Sequence, residues 1–203
     1  MFTCVREALT SKLIQELIEG RLDAAVVALP LSEPSLTEVP LFTENFLLVR
    51  PDEAEGTPVP NSEMLREMRL LLLEEGHCFR AQALSFCKMN AAMPRETLDA
   101  NSLSTLVQMV GAGLGVTLIP EMAVALETRS ASVCVSRFED PQPSRTVGMI
   151  WRKTTPLARQ LLQLSEAIGR SADSLREQQN TRSPSRNLPT KRAPIRPPRS
   201  RPR

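Results

Sequence analysis

Residues 22–29, LDAAVVAL, form a nearly continuous apolar run fenced by Gly20 and Pro30, and ahead of it Leu9, Leu13 and Leu17 recur at four-residue spacing. A four-residue apolar repeat marks one face of a helix. A short apolar run between chain breakers suits a strand covered on both faces, as in a parallel sheet. Gly20 supplies the helix stop. Helix then strand, joined through GRLD, is one half of a doubly wound unit, and this places the chain in the α/β class.

Short elements continue the alternation. Residues 34–42 read as a loop leading into a second subdomain, 46–49 as a short strand, and the proline- and acid-rich stretch 51–60 as an exposed loop. Asn61 or Ser62 can cap a short helix over 63–68. Residues 70–73 are four leucines, a buried strand ended by Glu74, Glu75 and Gly76. Asn101 or Ser102 caps a helix whose Leu103, Leu106, Val107 and Val110 make a core-facing stripe. The glycines of GAGLGVTLIP, Gly111, Gly113 and Gly115, leave a helix and enter a strand. A dinucleotide-binding fingerprint does the reverse, so these are scaffold residues. Strands over 133–135 and 146–151 follow, the second crossing back to the first subdomain, and an amphipathic helix over 157–168 closes the fold. The expected division is a first subdomain of 1–43 and 145–172, a second of 44–144, and a disordered tail over 173–203.

Charge is what defines the tail. From Thr181 onward eight of the last 23 residues are Arg or Lys, six are Pro and none is acidic. Such a stretch buries no core. Of 25 basic and 23 acidic residues in the chain, 25 less 8 leaves 17 basic against 23 acidic, a body of charge −6. A basic tail can hold nucleic acid without reading sequence, or be a solvated appendage. No apolar run approaches the ~20 residues that span a bilayer and no signal-peptide pattern opens the chain. A soluble cytoplasmic protein with no membrane partner is expected, and there cysteines stay reduced unless they serve redox chemistry.

Of the four cysteines, Cys4 and Cys134 read as structural. Cys78 is different: His77, the only histidine, precedes it, Arg80 stands two residues beyond, and Cys87 follows nine positions later. A cation beside a thiol favours the thiolate, the form that attacks peroxides and disulfides. The plainer alternative is that each cysteine is a small buried hydrophobe. Position separates them. Phe79, Ala83, Phe86, Cys87 and Asn90 fall on one helical face, which puts Cys87 in the core. Cys78 lies at a strand-to-helix junction, where free N–H groups and the helix dipole favour negative charge. At ~1.5 Å per residue an intact helix separates the two by roughly 13 Å, whereas a disulfide needs Cα atoms at about 5.5–6 Å. The pair can bond only if the helix start unwinds and Cys87 leaves its site. No metal or cofactor is expected.

GHCFRAQALSFC resembles the redox centre of the OxyR-type hydrogen-peroxide sensors, a group within the LysR-type transcription regulators. The resemblance continues through REALTSKLIQELIEGRLDAAVVAL, EVPLF, NSLSTLVQMVGAGLGVTLIP and SRTVGMIWR, about residues 7–167. It implies a periplasmic-binding-protein-like effector domain of two subdomains with mixed sheets, truncated at its N-terminus and regulatory, not an enzyme. It implies oxidation of Cys78 by hydrogen peroxide and its resolution by Cys87. Thr10 would line the peroxide pocket, and Arg145, with His77 and Arg80, would stabilise the thiolate or the leaving oxygen. From the residues alone Thr10 is equally a solvated hydroxyl and Arg145 a surface arginine. Implied partners are a second copy, as dimer or tetramer through effector domains, and glutaredoxin or thioredoxin as reductant. RNA polymerase and promoter DNA are partners only in a full-length regulator, because no winged helix-turn-helix pattern is present here. Ala81 replaces the family's acidic residue after the first cysteine, and Lys88 its aromatic after the second. Three alternatives stay open: a metabolite-binding effector domain with structural cysteines, a thiol peroxidase using Cys78, and a fragment whose unpaired sheet edge aggregates.

Overall fold

The computed structural model describes residues 4–75, 78–87 and 98–182, with side chains to 176. In chain order the elements are α1 (Thr10–Ile18), β1 (Ala25–Leu29), β2 (Leu36–Pro51), α2 (Ser62–Glu67), β3 (Leu72–Leu73), α3 (Cys78–Phe86), β4 (Asp99–Ala100), α4 (Leu103–Gly111), β5 (Thr117–Pro120), α5 (Val124–Glu127), β6 (Val133–Ser136), β7 (Ser144–Arg152) and α6 (Ala158–Arg182).

Strand β2 belongs to both halves of the fold. Its first part runs antiparallel to β7, from Leu36 opposite Arg152 to Asn45 opposite Ser144. From Phe46 it changes partners, pairing antiparallel with β5 on one edge and, from Leu48, with β6 on the other. Residues 36–42, expected as loop, are therefore strand. The misleading signal is Pro40, which sits where the ladder shifts register between Pro40 and Phe42, a bulge being where a strand tolerates a residue without an N–H.

Strand β1 pairs antiparallel with β7, Ala25 opposite Ile150 through Leu29 opposite Thr146. The parallel strand covered on both faces that was expected here is corrected: β1 is antiparallel and Val26 is exposed, since an apolar run fixes neither direction nor cover on both faces. Among the described residues no strand pairs with the other edge of β1. Gly148 of β7 makes the close approach possible, because a Cβ there would stand 2.2 Å from Leu29 Cδ1 and 2.9 Å from the Val39 carbonyl oxygen.

Around the second half of β2 lies the largest core. It joins Phe46, Leu48 and Val49 to Leu70–73, to Phe79, Ala83 and Cys87 on α3 and just beyond it, to Leu106, Val107 and Val110 of α4, and to Leu118 and Ile119 of β5. Each such side chain contributes roughly 1.5–3 kcal/mol when fully buried. The two helix starts expected here are capped, α2 by Asn61, which accepts from the N–H groups of Glu63 and Met64, and α4 by Ser102, which accepts from Thr105 N–H. Residues 71–73 lead into α3 between two neighbours, with Leu71 N–H bonded to Val116 O and β3 parallel to β4. Gly115 lets Val116 come that near, since a Cβ there would lie 2.3 Å from the Arg69 carbonyl oxygen.

Smaller cores hold Leu17 of α1 against Ala25, Val27, Leu36 and Ile150, and Leu161 of α6 against Met149 and Trp151. Helix α6 continues to Arg182, so residues 173–182 are helical where a disordered tail was expected. RSADSLREQQNTR carries neither Gly nor Pro to stop it. Residues 183–203 lie outside the description. Among the described residues no helix is long and apolar enough to cross a membrane.

Candidate functional site

Cys78 is the first residue of α3 and is half-buried. The first turn it opens is held at two points. Arg80 donates from Nη1 to the carbonyl oxygen of Leu73 and to Asp99 Oδ1, both at 2.8 Å, fixing the turn to the end of β3 and to β4. Its charge is thus already paired with a carboxylate. Phe79, buried, packs edge-on against Phe46 with ring centroids 5.1 Å apart and planes at 85°.

Arg145 reaches this turn from β7. Its guanidinium carbon lies 5.8 Å from the Phe79 ring centroid and 6.0 Å from that of Phe46. Its Nε donates to Glu44 Oε1 at 2.8 Å, and Nη2 stands 2.6 Å from the same oxygen. Glu44 is 2% exposed and lies directly opposite Arg145 in the β2–β7 ladder. Its second oxygen accepts Met122 N–H at 3.4 Å.

The far end of α3 is sealed. Cys87, fully buried, donates its N–H to Ala83 O at 3.1 Å, and its carbonyl accepts from Arg66 Nε at 2.8 Å. Phe86 packs edge-on against Phe138 at 5.0 Å. Burial pushes the Cys87 thiol up to about 11, against a smaller opposing pull from Arg66, because a thiolate there would lose its hydration. Both cysteines are free, and the unbroken helix between them keeps them roughly 13 Å apart along its axis.

Thr10 opens α1, which packs on β1 and β7, and no described hydrogen bond ties it to α3. His77, Lys88 and Asn90 lie outside the described residues. Cys4 is exposed, while Cys134 on β6 donates to the Pro51 carbonyl at 3.4 Å. A cavity of about 400 Å³ is lined by Ala81, Gln82, Ser85 and Phe86 of α3 with Phe46, Pro143 and Ser144. Ala81, Gln82 and Ser85 follow Cys78 at i+3, i+4 and i+7, so they share its helical face. The sequence reading missed Glu44, Arg66 and Asp99. Glu44 has a faint signal, an acid two residues before the apolar run FLLV; the other two have none.

The chain matches the LysR substrate binding domain over residues 5–173. A "probable hydrogen peroxide-inducible genes activator" of Streptomyces viridosporus is 44% identical over 171 residues, covering 81% of this chain and 54% of that protein. The DNA-binding transcriptional dual regulator OxyR of Escherichia coli K12 is 39% identical over 167 residues with the same coverage. Among solved structures, the reduced OxyR regulatory domain of Pseudomonas aeruginosa superposes with a TM-score of 0.68 at 36% identity, covering 79% of each chain. A cysteine mutant of Corynebacterium glutamicum OxyR with H2O2 bound gives 0.74 at 29% identity, covering 82% of this chain and 54% of that one. The chain spans about half the length of the curated relatives it matches.

Proposed function

Because the chain belongs to the LysR substrate-binding domain family, we propose that it is a hydrogen-peroxide-sensing regulatory domain whose switch is the Cys78 and Cys87 pair. One observation carries this reading: a single helix bears an accessible thiol at its first residue, and just past its last a thiol sealed in the core. The named functions of the relatives supply the oxidant.

The chemistry takes two steps. The Cys78 thiolate attacks one oxygen of hydrogen peroxide, the O–O bond breaks, and hydroxide leaves to be protonated to water, giving a sulfenic acid. The Cys87 sulfur then attacks the Cys78 sulfur, the S–O bond breaks, and a second water departs. Two thiols lose two electrons and the peroxide gains them. Glutaredoxin or thioredoxin would return those electrons through a dithiol in the cytoplasm.

Cys87 reaches Cys78 only when α3 unwinds. Closing the roughly ten-residue loop costs about 2.7 kcal/mol by chain entropy, and each buried side chain withdrawn costs some 1.5–3 kcal/mol more. In this reading Arg80 and Arg145 hold the first turn, and His77 and Thr10 assist peroxide. In a full-length regulator the rearrangement would alter packing in a dimer or tetramer, and so engagement of promoter DNA and RNA polymerase.

Two variants test the order of events. Cys78→Ser should abolish the peroxide-induced disulfide, and Cys87→Ser should leave a sulfenic acid on Cys78 that dimedone traps. Dimedone labelling of Cys87 in the Cys78→Ser protein, with none on Cys78 in the other, would sink the assignment. The cavity beside α3 favours a second reading, a metabolite-binding effector domain. A ligand that raises the melting temperature equally with both cysteines replaced by serine would support it.

A further inference from the structure

We infer that Glu44 is a positioning residue for this switch: by holding Arg145 against Phe79 it sets how readily the first turn of α3 opens, and hence the reduction potential of the Cys78 and Cys87 pair. The inference rests on the peroxide-switch reading and adds a residue that takes no part in its chemistry.

The geometry links Glu44 to the residue beside the reacting cysteine through Arg145 and Phe79. It sits on β2 two residues before Phe46, where the strand changes partners from β7 to β5 and β6. At 2% exposure its carboxylate has little access to water, and a buried carboxylate requires a matched cation and further donors. Arg145 donates one N–H, from Nε, at 2.8 Å and brings Nη2 to 2.6 Å of the same oxygen, and Met122 supplies a backbone N–H at 3.4 Å. Being opposite in the ladder, Glu44 and Arg145 are bound to each other by backbone register as well as by charge.

That anchorage decides where the guanidinium lies. With the group held on Glu44, its guanidinium carbon lies over the Phe79 and Phe46 rings at 5.8 and 6.0 Å, within the range where a cation is drawn to an aromatic ring. Phe79 is the neighbour of Cys78 and belongs to the turn that must unwind for Cys87 to arrive. The chain Glu44, Arg145, Phe79 can therefore exist in the reduced helical form and is broken when the first turn opens. A contact made in one state alone shifts the equilibrium toward that state. Here it favours the dithiol and raises the reduction potential.

The full chain carrying Glu44→Gln provides the test. Gln keeps the shape and loses the charge, leaving Arg145 uncompensated. Equilibrated in glutathione buffers, E44Q should favour the disulfide about tenfold more than the unaltered chain, a potential about 30 mV more negative. In an Arg145→Met background the same change should add nothing, because Glu44 acts through Arg145. Hydrogen exchange on the reduced chain with Cys78 and Cys87 both replaced by serine should show faster exchange in α3 for E44Q, with α4 unaltered. If E44Q does not fold, E44D keeps the charge, withdraws the carboxylate by one methylene, and is read in the same way. The inference is overturned if both redox forms lose melting temperature equally with the potential unmoved, if the effect persists undiminished without Arg145, or if exchange in α3 is unchanged. Should the unaltered chain form no Cys78–Cys87 disulfide, the switch reading falls, and the exchange result alone decides whether Glu44 positions the helix.

Discussion

Cys78 and Cys87 are the same functional group in contact with different amounts of water, and that difference orders their chemistry. A thiol held up to about 11 by burial stays protonated at neutral pH, so Cys87 cannot compete for peroxide while the helix is intact. The same shift makes a stability prediction. The folded reduced state raises this thiol from 9.0 to about 11, so its contribution is fully present below about pH 9 and is lost as pH rises through 11, with about 2 kcal/mol gone by pH 11. Urea unfolding of the reduced protein at about pH 8 and about pH 11 should show that loss, and Cys87→Ala should lack it; equal losses in both would contradict the assignment. The contrast between the cysteines was legible in the sequence, because Phe79, Ala83 and Cys87 share a helical face and all are buried. The partners of the cations were not. Asp99 lies 19 residues from Arg80, and Glu44 lies 101 from Arg145. Glu44 meets Arg145 through strand register and Asp99 meets Arg80 where β4 passes the first turn of α3, and no local pattern displays either.

At the scale of elements, α3 is a helix that the proposed function requires to unwind. Ala81 is exposed on it, so Ala81→Gly should weaken the helix by about 1 kcal/mol without disturbing the core. Disulfide formation should then run about fivefold faster, while sulfenic acid formation on Cys78, followed by dimedone in a Cys87→Ser background, should not change. An unaltered disulfide rate in quenched-alkylation time courses would mean that helix opening does not limit the second step. Elements with strong periodicity were readable in advance, α4 most clearly, whose Leu106, Val107 and Val110 are fully buried. The opening half of β2 was not. Thr37, Glu38 and Pro40 look like loop composition, and only the ladder to β7 with its bulge makes them strand. Helix α6 outran its apolar stripe, passing through Gly169, because the helix formers beyond it contain no proline and extend a helix that is already nucleated.

For the whole molecule, the proposed switch makes β2 and β7 the route by which a change at Cys78 would be felt elsewhere. Both carry side chains that touch the first turn of α3, Phe46 from one and Arg145 from the other. The first half of β2 and most of β7 also form the sheet on which α1 and α6 pack. Unwinding α3 therefore removes packing from the strands that join the two halves, and in a longer regulator that is where a redox signal would enter the rest of the chain. The most direct test is a peptide map of the intact chain after stoichiometric hydrogen peroxide and rapid alkylation. The predicted result is a cross-linked peptide pair joining Cys78 to Cys87, two hydrogens lighter than the reduced peptides, with Cys4 and Cys134 alkylated and reversal by dithiothreitol. Recovery of Cys78 and Cys87 both alkylated, at peroxide doses that oxidise Cys4 or Cys134, would contradict the account.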